Sequence, residues 1–325
     1  MTQHDLILIG AGPCGLAAAT KFKQSGLNYL HIEAGKLAQT IHNFPAKIKL
    51  YSNRRDLEIG DIPFQPEPDK PPTREEYLDY LSEASSRLGL EIKTNRRAIS
   101  LITGNKKHLV YFSGKDGKSE EASSSNIVVA SGGYYAPQLL NIPGEGQPNV
   151  SHFFNSELPF EGERVLVVGG RNSAIEAAII LAKKNAEVIL SYRGTRFPRK
   201  KIKPWLLPEF DEAKKKGIIR VLYRTVPSSI HDREVELKSE ENKKIKIEAD
   251  KIFLLTGYGP DYNILQNASV PFHKSSRRPL FNSQTLETKK PGIFLCGTVV
   301  LKWQGRPTNI GNTRDHWKII LKNLR

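Results

Sequence analysis

The chain has 325 residues and a formal charge of +15, from 49 basic and 34 acidic side chains, with 38% hydrophobic residues and two cysteines. That length suits two domains of roughly 100–200 residues each rather than one nucleotide-binding unit. No apolar run approaches the ~20 residues that cross a bilayer, and two distant cysteines without a CxxC pair exclude a disulfide-stapled secreted domain.

Residues 6–9 read as a strand, and Gly10-Ala11-Gly12-Pro13-Cys14-Gly15 follows as a glycine loop opening a helix over 14–24. The free N–H groups and positive dipole end of such a helix can hold a pyrophosphate, with glycines allowing close backbone approach. Strand Tyr29–Ile32 ends at Glu33, whose carboxylate can accept hydrogen bonds from ribose hydroxyls. Gly10, Gly12, Pro13, Gly15 and Glu33 are therefore expected cofactor contacts. The apolar stretch 6–19 imitates a secretory signal, but no basic cluster precedes it and cleavage would destroy the loop, so a cytoplasmic protein without a membrane anchor is expected. Residues 34–72, rich in Pro, Asn and charge, read as an irregular segment too polar for core that lines a site. Thr73 caps a helix over Arg74–Arg87, with Glu75 and Glu76 in its first turn and Tyr77, Leu78, Leu81 and Ala84 on one face. Strands are expected at 91–94, 99–102, His108–Ser113 and 127–130, the last running into Ser131-Gly132-Gly133 with Gly132 against the cofactor.

A second loop, Gly169-Gly170-Arg171-Asn172-Ser173-Ala174, follows the strand-like run 165–168, about 160 residues after the first. One glycine loop is weak evidence, but two at strand ends imply two cofactors, most economically a flavin and a nicotinamide. Beyond a helix over 174–184 and a strand over 187–190, no acid stands where Glu33 stood. Arg193 and Arg196 instead offer planar forks suited to a 2′-phosphate, which favours NADPH over NADH; a solvated basic loop is the plainer reading. Arg171 fills the slot of the second loop glycine, hindering close backbone approach unless its guanidinium pairs with the pyrophosphate. The strand-and-small-residue runs at 127–135 and 252–260 bracket this loop. They suggest an α/β fold of two Rossmann-like domains: a FAD domain at 1–157, an inserted NADPH domain at 158–257, and the FAD domain resumed at 258–325.

Cys14 lies at a helix N-terminus, where the dipole favours thiolate, although a bound pyrophosphate opposes it. Chemistry alone leaves catalytic and packing roles open. Cys296, in the apolar run 292–297, reads as a packing residue. The eight histidines show no metal-ligand spacing, and His152 and His316 are the ones worth testing. The scattered cations (Lys106-Lys107, Arg199-Lys200-Lys201, Lys214-Lys215-Lys216) lack a recognition helix or aromatic stripe, so nucleic acid is not an expected partner. The charge suits anionic cofactors and an acidic substrate or redox protein.

The first loop with its cysteine, Ser52-Asn53 through Ile59-Gly60-Asp61-Ile62-Pro63-Phe64, the second loop, Ile202-Lys203-Pro204-Trp205-Leu206-Leu207-Pro208 and Gly257-Tyr258-Gly259-Pro260-Asp261-Tyr262 together resemble the YpdA-type bacillithiol-disulfide reductases. The resemblance implies an FAD- and NADPH-dependent reductase of a small-molecule thiol disulfide, with Cys14 matching the family's proposed redox cysteine. A homo-oligomer is the expected assembly. Gly297-Thr298 stands where many flavin disulfide reductases have Gly-Asp facing the ribityl chain, and residues 309–325 resemble the family less than the core does. A thioredoxin-reductase-like ferredoxin–NADP reductase, a flavin-dependent monooxygenase and a slow redox sensor are the competing readings.

Overall fold

The computed structural model describes residues 3–114 and 117–324. Residues 1, 2 and 325, which the expected domain limits include, lie outside the described residues. The chain forms two units, Met1–His42, Lys47–Ala136 and Gly259–Arg325 in one, and Asn43–Ala46 with Pro137–Tyr258 in the other.

In the first unit β1 (Gln3–Ile9) runs into α1 (Pro13–Gln24) and returns through β2 (Tyr29–Ile32). Both strands carry near-continuous apolar runs because the parallel sheet is covered on both faces. Next comes α2 (Arg74–Arg87), opened by a reciprocal cap in which Thr73 Oγ1 accepts from Glu76 N and the Glu76 carboxylate accepts from Thr73 N. Such a cap stabilises a helix start by about 1 kcal/mol. Then β3 (Ala98–Thr103), β4 (His108–Ser113) and β5 (Ser119–Val129) form an antiparallel meander. β5 is much longer than the expected 127–130: the run 119–126, polar except for Ala122, carries no strand signal of its own. Ser124 and Asn126 are nevertheless buried, Ser124 Oγ donating to Asn126 O at 2.7 Å and Asn126 Nδ2 to Asp5 O at 3.2 Å. Conversely, 91–94 is no strand: a single bridge joins Lys93 to Ile32 at the end of four-residue β2.

The segment 34–72 corrects its sequence reading, since Leu57, Ile59 and Phe64 are core residues. Phe64 stacks on Tyr80 with ring centroids 4.2 Å apart, and the Tyr80 hydroxyl accepts from Ile59 N (2.6 Å) while donating to Ile62 O (2.8 Å). Helix α2 thus supplies the hydrogen bonds that let an irregular backbone be buried.

In the second unit, β6 (Val150–Ser151), β7 (Arg164–Val168), α3 (Asn172–Lys183), β8 (Glu187–Tyr192), α4 (Leu207–Lys215), β9 (Ile219–Tyr223) and β13 (Lys251–Leu254) build a parallel sheet in the order β9-β8-β7-β13-β6. Between β9 and β13 lies an antiparallel sheet of β10 (Thr225–His231), β11 (Glu234–Ser239) and β12 (Lys244–Glu248). The expected first limit at 157/158 falls instead at Ala136/Pro137, because β6, upstream of that limit, pairs with β13 of this unit. The chain re-enters the first unit after Tyr258, against the expected 257/258.

Back in the first unit, β14 (Ile293–Leu295) pairs parallel with the second half of β5, followed by the short helices α5 (Ile310–Thr313) and α6 (His316–Leu321). β1 is flanked by β2 on one side and β5 on the other, as β7 is by β8 and β13. Each central strand therefore ends at a topological switch point, where open α/β sheets bind ligands beyond the strands' carboxyl ends. Among the described residues, no helix is long and apolar enough to cross a membrane and no cluster of His, Cys, Asp and Glu could hold a metal.

Candidate active site

At the end of β1 the loop glycines divide their work. Gly10 has φ +106°, and a Cβ there would stand 2.5 Å from the Ala130 carbonyl oxygen; a Cβ on Gly15 would stand 2.0 Å from Gly10 O. Those two glycines serve chain-to-chain packing. Gly12, the residue before α1, faces open space, where a Cβ meets nothing within 4 Å. Pro13 occupies the first helical turn, and no side chain caps it. An uncapped helix start behind a cleared glycine is the geometry a pyrophosphate requires.

Glu33 is buried rather than exposed at the strand end, and its first task is to brace this loop. Its Oε2 accepts from Ala11 N at 2.7 Å and its Oε1 from Gly35 N at 2.9 Å. A carboxylate offers about four lone-pair sites, leaving capacity for a ribose hydroxyl. Across the loop, Ser131 Oγ is buried without a partner, and Gly132 lies beside Thr298, whose Oγ1 would be 4.0 Å from a Cβ at 132. An orphaned buried hydroxyl next to a cleared helix start fits a dinucleotide. His31, from β2, places Nε2 3.0 Å from Gly10 O, and burial pushes its imidazole down to about 4. It is therefore neutral, and donates from Nε2.

Cys14 sits one step inside the same helix, buried against Gly297. A Cβ on Gly297, which has φ +82°, would stand 2.6 Å from Cys14 Cβ and 2.9 Å from its sulfur, so only glycine fits. Cys14 Sγ lies 3.4 Å from Thr313 Oγ1, while the Thr313 hydroxyl donates to Asn309 O at 2.6 Å. Burial pushes the thiol up to about 11, opposed by the bond to Thr313. The dipole argument from sequence omitted this desolvation, which outweighs it: the resting group is a thiol, not a thiolate. Cys296 is fully buried, donates to Cys14 O at 3.8 Å, and is pushed well above the ordinary thiol range by burial. His316 Nδ1 accepts from Gly297 N at 3.1 Å, and burial pushes this imidazole down to about 4.

The second loop repeats the backbone plan with different side chains. A Cβ on Gly169 would stand 2.5 Å from Leu255 O, matching Gly10 against Ala130, and Ala174 replaces Gly15. Gly170 is used in packing, since a Cβ would stand 2.2 Å from the Tyr192 ring. Arg171, exposed, holds the position of Gly12 immediately before α3, again without a side-chain cap. Asn172 Oδ1 accepts from Lys203 N at 2.8 Å, and Lys203 Nζ pairs with Glu176 at 2.6 Å, both side chains more than nine-tenths buried. Burial raises the Glu176 carboxyl above its usual range while Lys203 pulls it back. Ser173 lies in the first turn of α3. Arg193 and Arg196 follow β8, exposed, and with Arg171 make no ion pair among the described residues, whereas nearby Arg199 pairs with Asp211 at 2.8 Å. His152 belongs to neither loop; its Nε2 lies 3.5 Å from Glu145.

The pyridine nucleotide-disulphide oxidoreductase family matches residues 7–297. The chain belongs to this family. It is 34% identical over 97% of its length, and 96% of the relative's, to bacilliredoxin reductase Bdr of Bacillus subtilis. The solved structure of bacillithiol disulfide reductase Bdr (YpdA) from Bacillus cereus superposes with TM-score 0.94 at 32% identity, covering 99% of both chains. That from Staphylococcus aureus gives 0.92 at 28%, covering 99% and 98%. As a family member the chain is an oxidoreductase.

Sequence reasoning missed His31, Thr313 and Asn309, and gave no role to Lys203 beyond its motif. A histidine inside an apolar strand, as in Tyr29-Leu30-His31-Ile32, was a readable sign, because a buried imidazole needs a partner. Thr313 carried none.

Proposed function

We propose that the chain is an NADPH-dependent flavoprotein that reduces the disulfide of a low-molecular-weight thiol, with FAD on the first loop, NADPH on the second and Cys14 as the reacting sulfur. The first unit is then the FAD domain and the second the NADPH domain. The carrying observation is Cys14 itself, placed in the first turn of the uncapped helix that follows the first glycine loop and packed against Gly297. The names of the relatives, a bacilliredoxin reductase and two bacillithiol disulfide reductases, support the substrate class. The 2′-phosphate reading is supported by Arg193 and Arg196, two exposed guanidiniums that make no ion pair among the described residues and follow a strand whose end carries no acid.

Cys14, once ionised, attacks one sulfur of the substrate; the substrate S–S bond breaks, a mixed disulfide forms on Cys14, and the departing thiolate takes up a proton. FAD, held at the first loop, would supply the electron pair, drawn from NADPH, that with two protons returns Cys14 and the retained half of the substrate to thiols. The burial of Cys14 keeps bulk water from the sulfur, and Gly297 leaves it room.

The test is NADPH oxidation by FAD-loaded protein with bacillithiol disulfide, ferredoxin or oxygen as acceptor, in wild type and Cys14→Ala. Disulfide turnover lost in Cys14→Ala is the expected result. Turnover that survives the substitution refutes the cysteine chemistry, and reduction of ferredoxin or oxygen alone refutes the substrate class. A protein-borne disulfide is the second reading, favoured by the name of the B. subtilis relative and by the +15 charge.

A further inference from the structure

The geometry points to Thr313 as a positioning residue for Cys14: its hydroxyl proton has two settings, one that keeps the thiol protonated and one that stabilises the thiolate. This rests on the reading of Cys14 as the reacting sulfur. The observed setting follows from which groups can accept. Asn309 O, a carbonyl, can only accept, and it lies 2.6 Å from Thr313 Oγ1, so the hydroxyl proton is spent there. What Thr313 then presents to Cys14 Sγ at 3.4 Å is a lone pair, and only an S–H satisfies it. Ionisation of Cys14 removes that proton and leaves a strong acceptor. The hydroxyl can then turn its own proton from Asn309 O to the sulfur with no heavy atom moving.

The surroundings hold the oxygen in place for both settings. Asn309 and Asn312 lock each other, with Asn312 N donating to Asn309 Oδ1 at 2.9 Å and Asn309 N to Asn312 Oδ1 at 2.8 Å. On the other side, Arg314 donates to Arg55 O at 2.7 Å and Glu58 O at 3.0 Å. Thr313 is fully buried between these anchors.

The other ionisable groups around the sulfur do little of this work. Tyr77 of α2 and Cys296 are buried and neutral, and His316 is neutral with Nδ1 occupied by Gly297 N. Arg314 favours the thiolate and Asp315 opposes it. With no imidazolium or ammonium at the sulfur, two hydrogen-bonding groups lower the cost of ionisation, the Thr298 backbone and the Thr313 hydroxyl, and of these the hydroxyl is the one whose proton can turn toward or away from the sulfur.

The experiment titrates Cys14 by far-ultraviolet thiolate absorbance in FAD-loaded protein, as the difference from Cys14→Ala, for wild type, Thr313→Val and Thr313→Ser. Thr313→Val is expected to titrate at a pH about one unit higher, the effect of losing one hydrogen bond to a charged group. Disulfide turnover at neutral pH should fall about tenfold with it, while the rate of flavin reduction by NADPH stays as in wild type. Thr313→Ser should restore both. A Thr313→Val titration that overlays wild type overturns the inference, as does a serine variant that behaves like valine. If Thr313→Val does not retain flavin, Thr313→Ala carries the same comparison. Turnover in Cys14→Ala would instead refute the underlying reading, and the titration is independent of that result.

Discussion

Two buried histidines make the first unit acid-sensitive by an amount that can be worked out. His31 and His316 are each about 1% exposed, and burial pushes both from 6.5 to about 4. In the unfolded chain each binds a proton as the pH passes below 6.5; in the folded chain each resists until near 4. The stability they contribute is therefore complete above 6.5 and is lost progressively as the pH falls toward 4. At pH 5 the linkage amounts to about 2 kcal/mol for each histidine, about 4 kcal/mol for the pair. That is a large share of the roughly 5–15 kcal/mol of a typical domain. The structural cause is specific. Protonated His316 would turn Nδ1 from acceptor to donor against Gly297 N, and protonated His31 would bury an N–H at Nδ1, which has no partner. Substituting His31→Gln keeps a donor for Gly10 O, and His316→Asn keeps an acceptor for Gly297 N, while neither new side chain titrates. Urea unfolding at fixed saturating FAD, at pH 7 and pH 5, is the assay. The double variant should lose about 4 kcal/mol less than wild type between the two pH values. Equal losses in both proteins would refute the burial argument, since other titrating groups cancel in the difference.

The glycine loop gives a paired test: Gly12→Ala, in open space at φ −77°, should unfold within roughly 0.5 kcal/mol of wild type yet bind FAD about tenfold more weakly, whereas Gly10→Ala should fail to fold. Urea melts and flavin fluorescence separate the two effects. Glu33→Gln places an amide N–H against Ala11 N or Gly35 N, leaving one donor unmet at a cost of about 1–3 kcal/mol, and should release FAD during desalting. Lys203→Met strands the Glu176 carboxylate and should destabilise the second unit by about 3–5 kcal/mol, with Glu176→Leu added to it recovering most of the loss. Thermal melts of the single and double variants decide that, and equal melting of single and double would sink it.

What the sequence disclosed were the elements whose chemistry repeats along the chain. Apolar runs gave the central strands, glycines at their ends gave the switch points, and Thr73 with Glu76 gave the start of α2. It failed where an element's character depends on something distant in sequence. Ser123, Ser124 and Asn126 are polar yet buried in β5, where Ser124 donates to Asn126 O and Asn126 finds its acceptor at Asp5. The segment 34–72 enters the core because α2 supplies Tyr80 as its hydrogen-bond partner. The protonation of Cys14 was out of reach for the same reason: the helix dipole is local and readable, whereas desolvation and Thr313 arrive from nearly the far end of the chain.

The two loops, read against each other, separate folding from ligand contact. Gly10 and Gly169 are held in common because each lies 2.5 Å, at its missing Cβ, from a carbonyl of the neighbouring strand, so the switch point cannot close with any other residue. Gly12 and Arg171 hold the same position before their helices, Gly12 with nothing within 4 Å of its missing Cβ and Arg171 exposed. An uncharged, cleared position suits a pyrophosphate held mainly by backbone, and a guanidinium suits one held mainly by charge. The second site should accordingly bind its dinucleotide with a steeper loss of affinity in salt than the first. Arg171→Gly should flatten that salt dependence toward the first loop's, and an unchanged slope would mean that Arg171 does not reach the pyrophosphate.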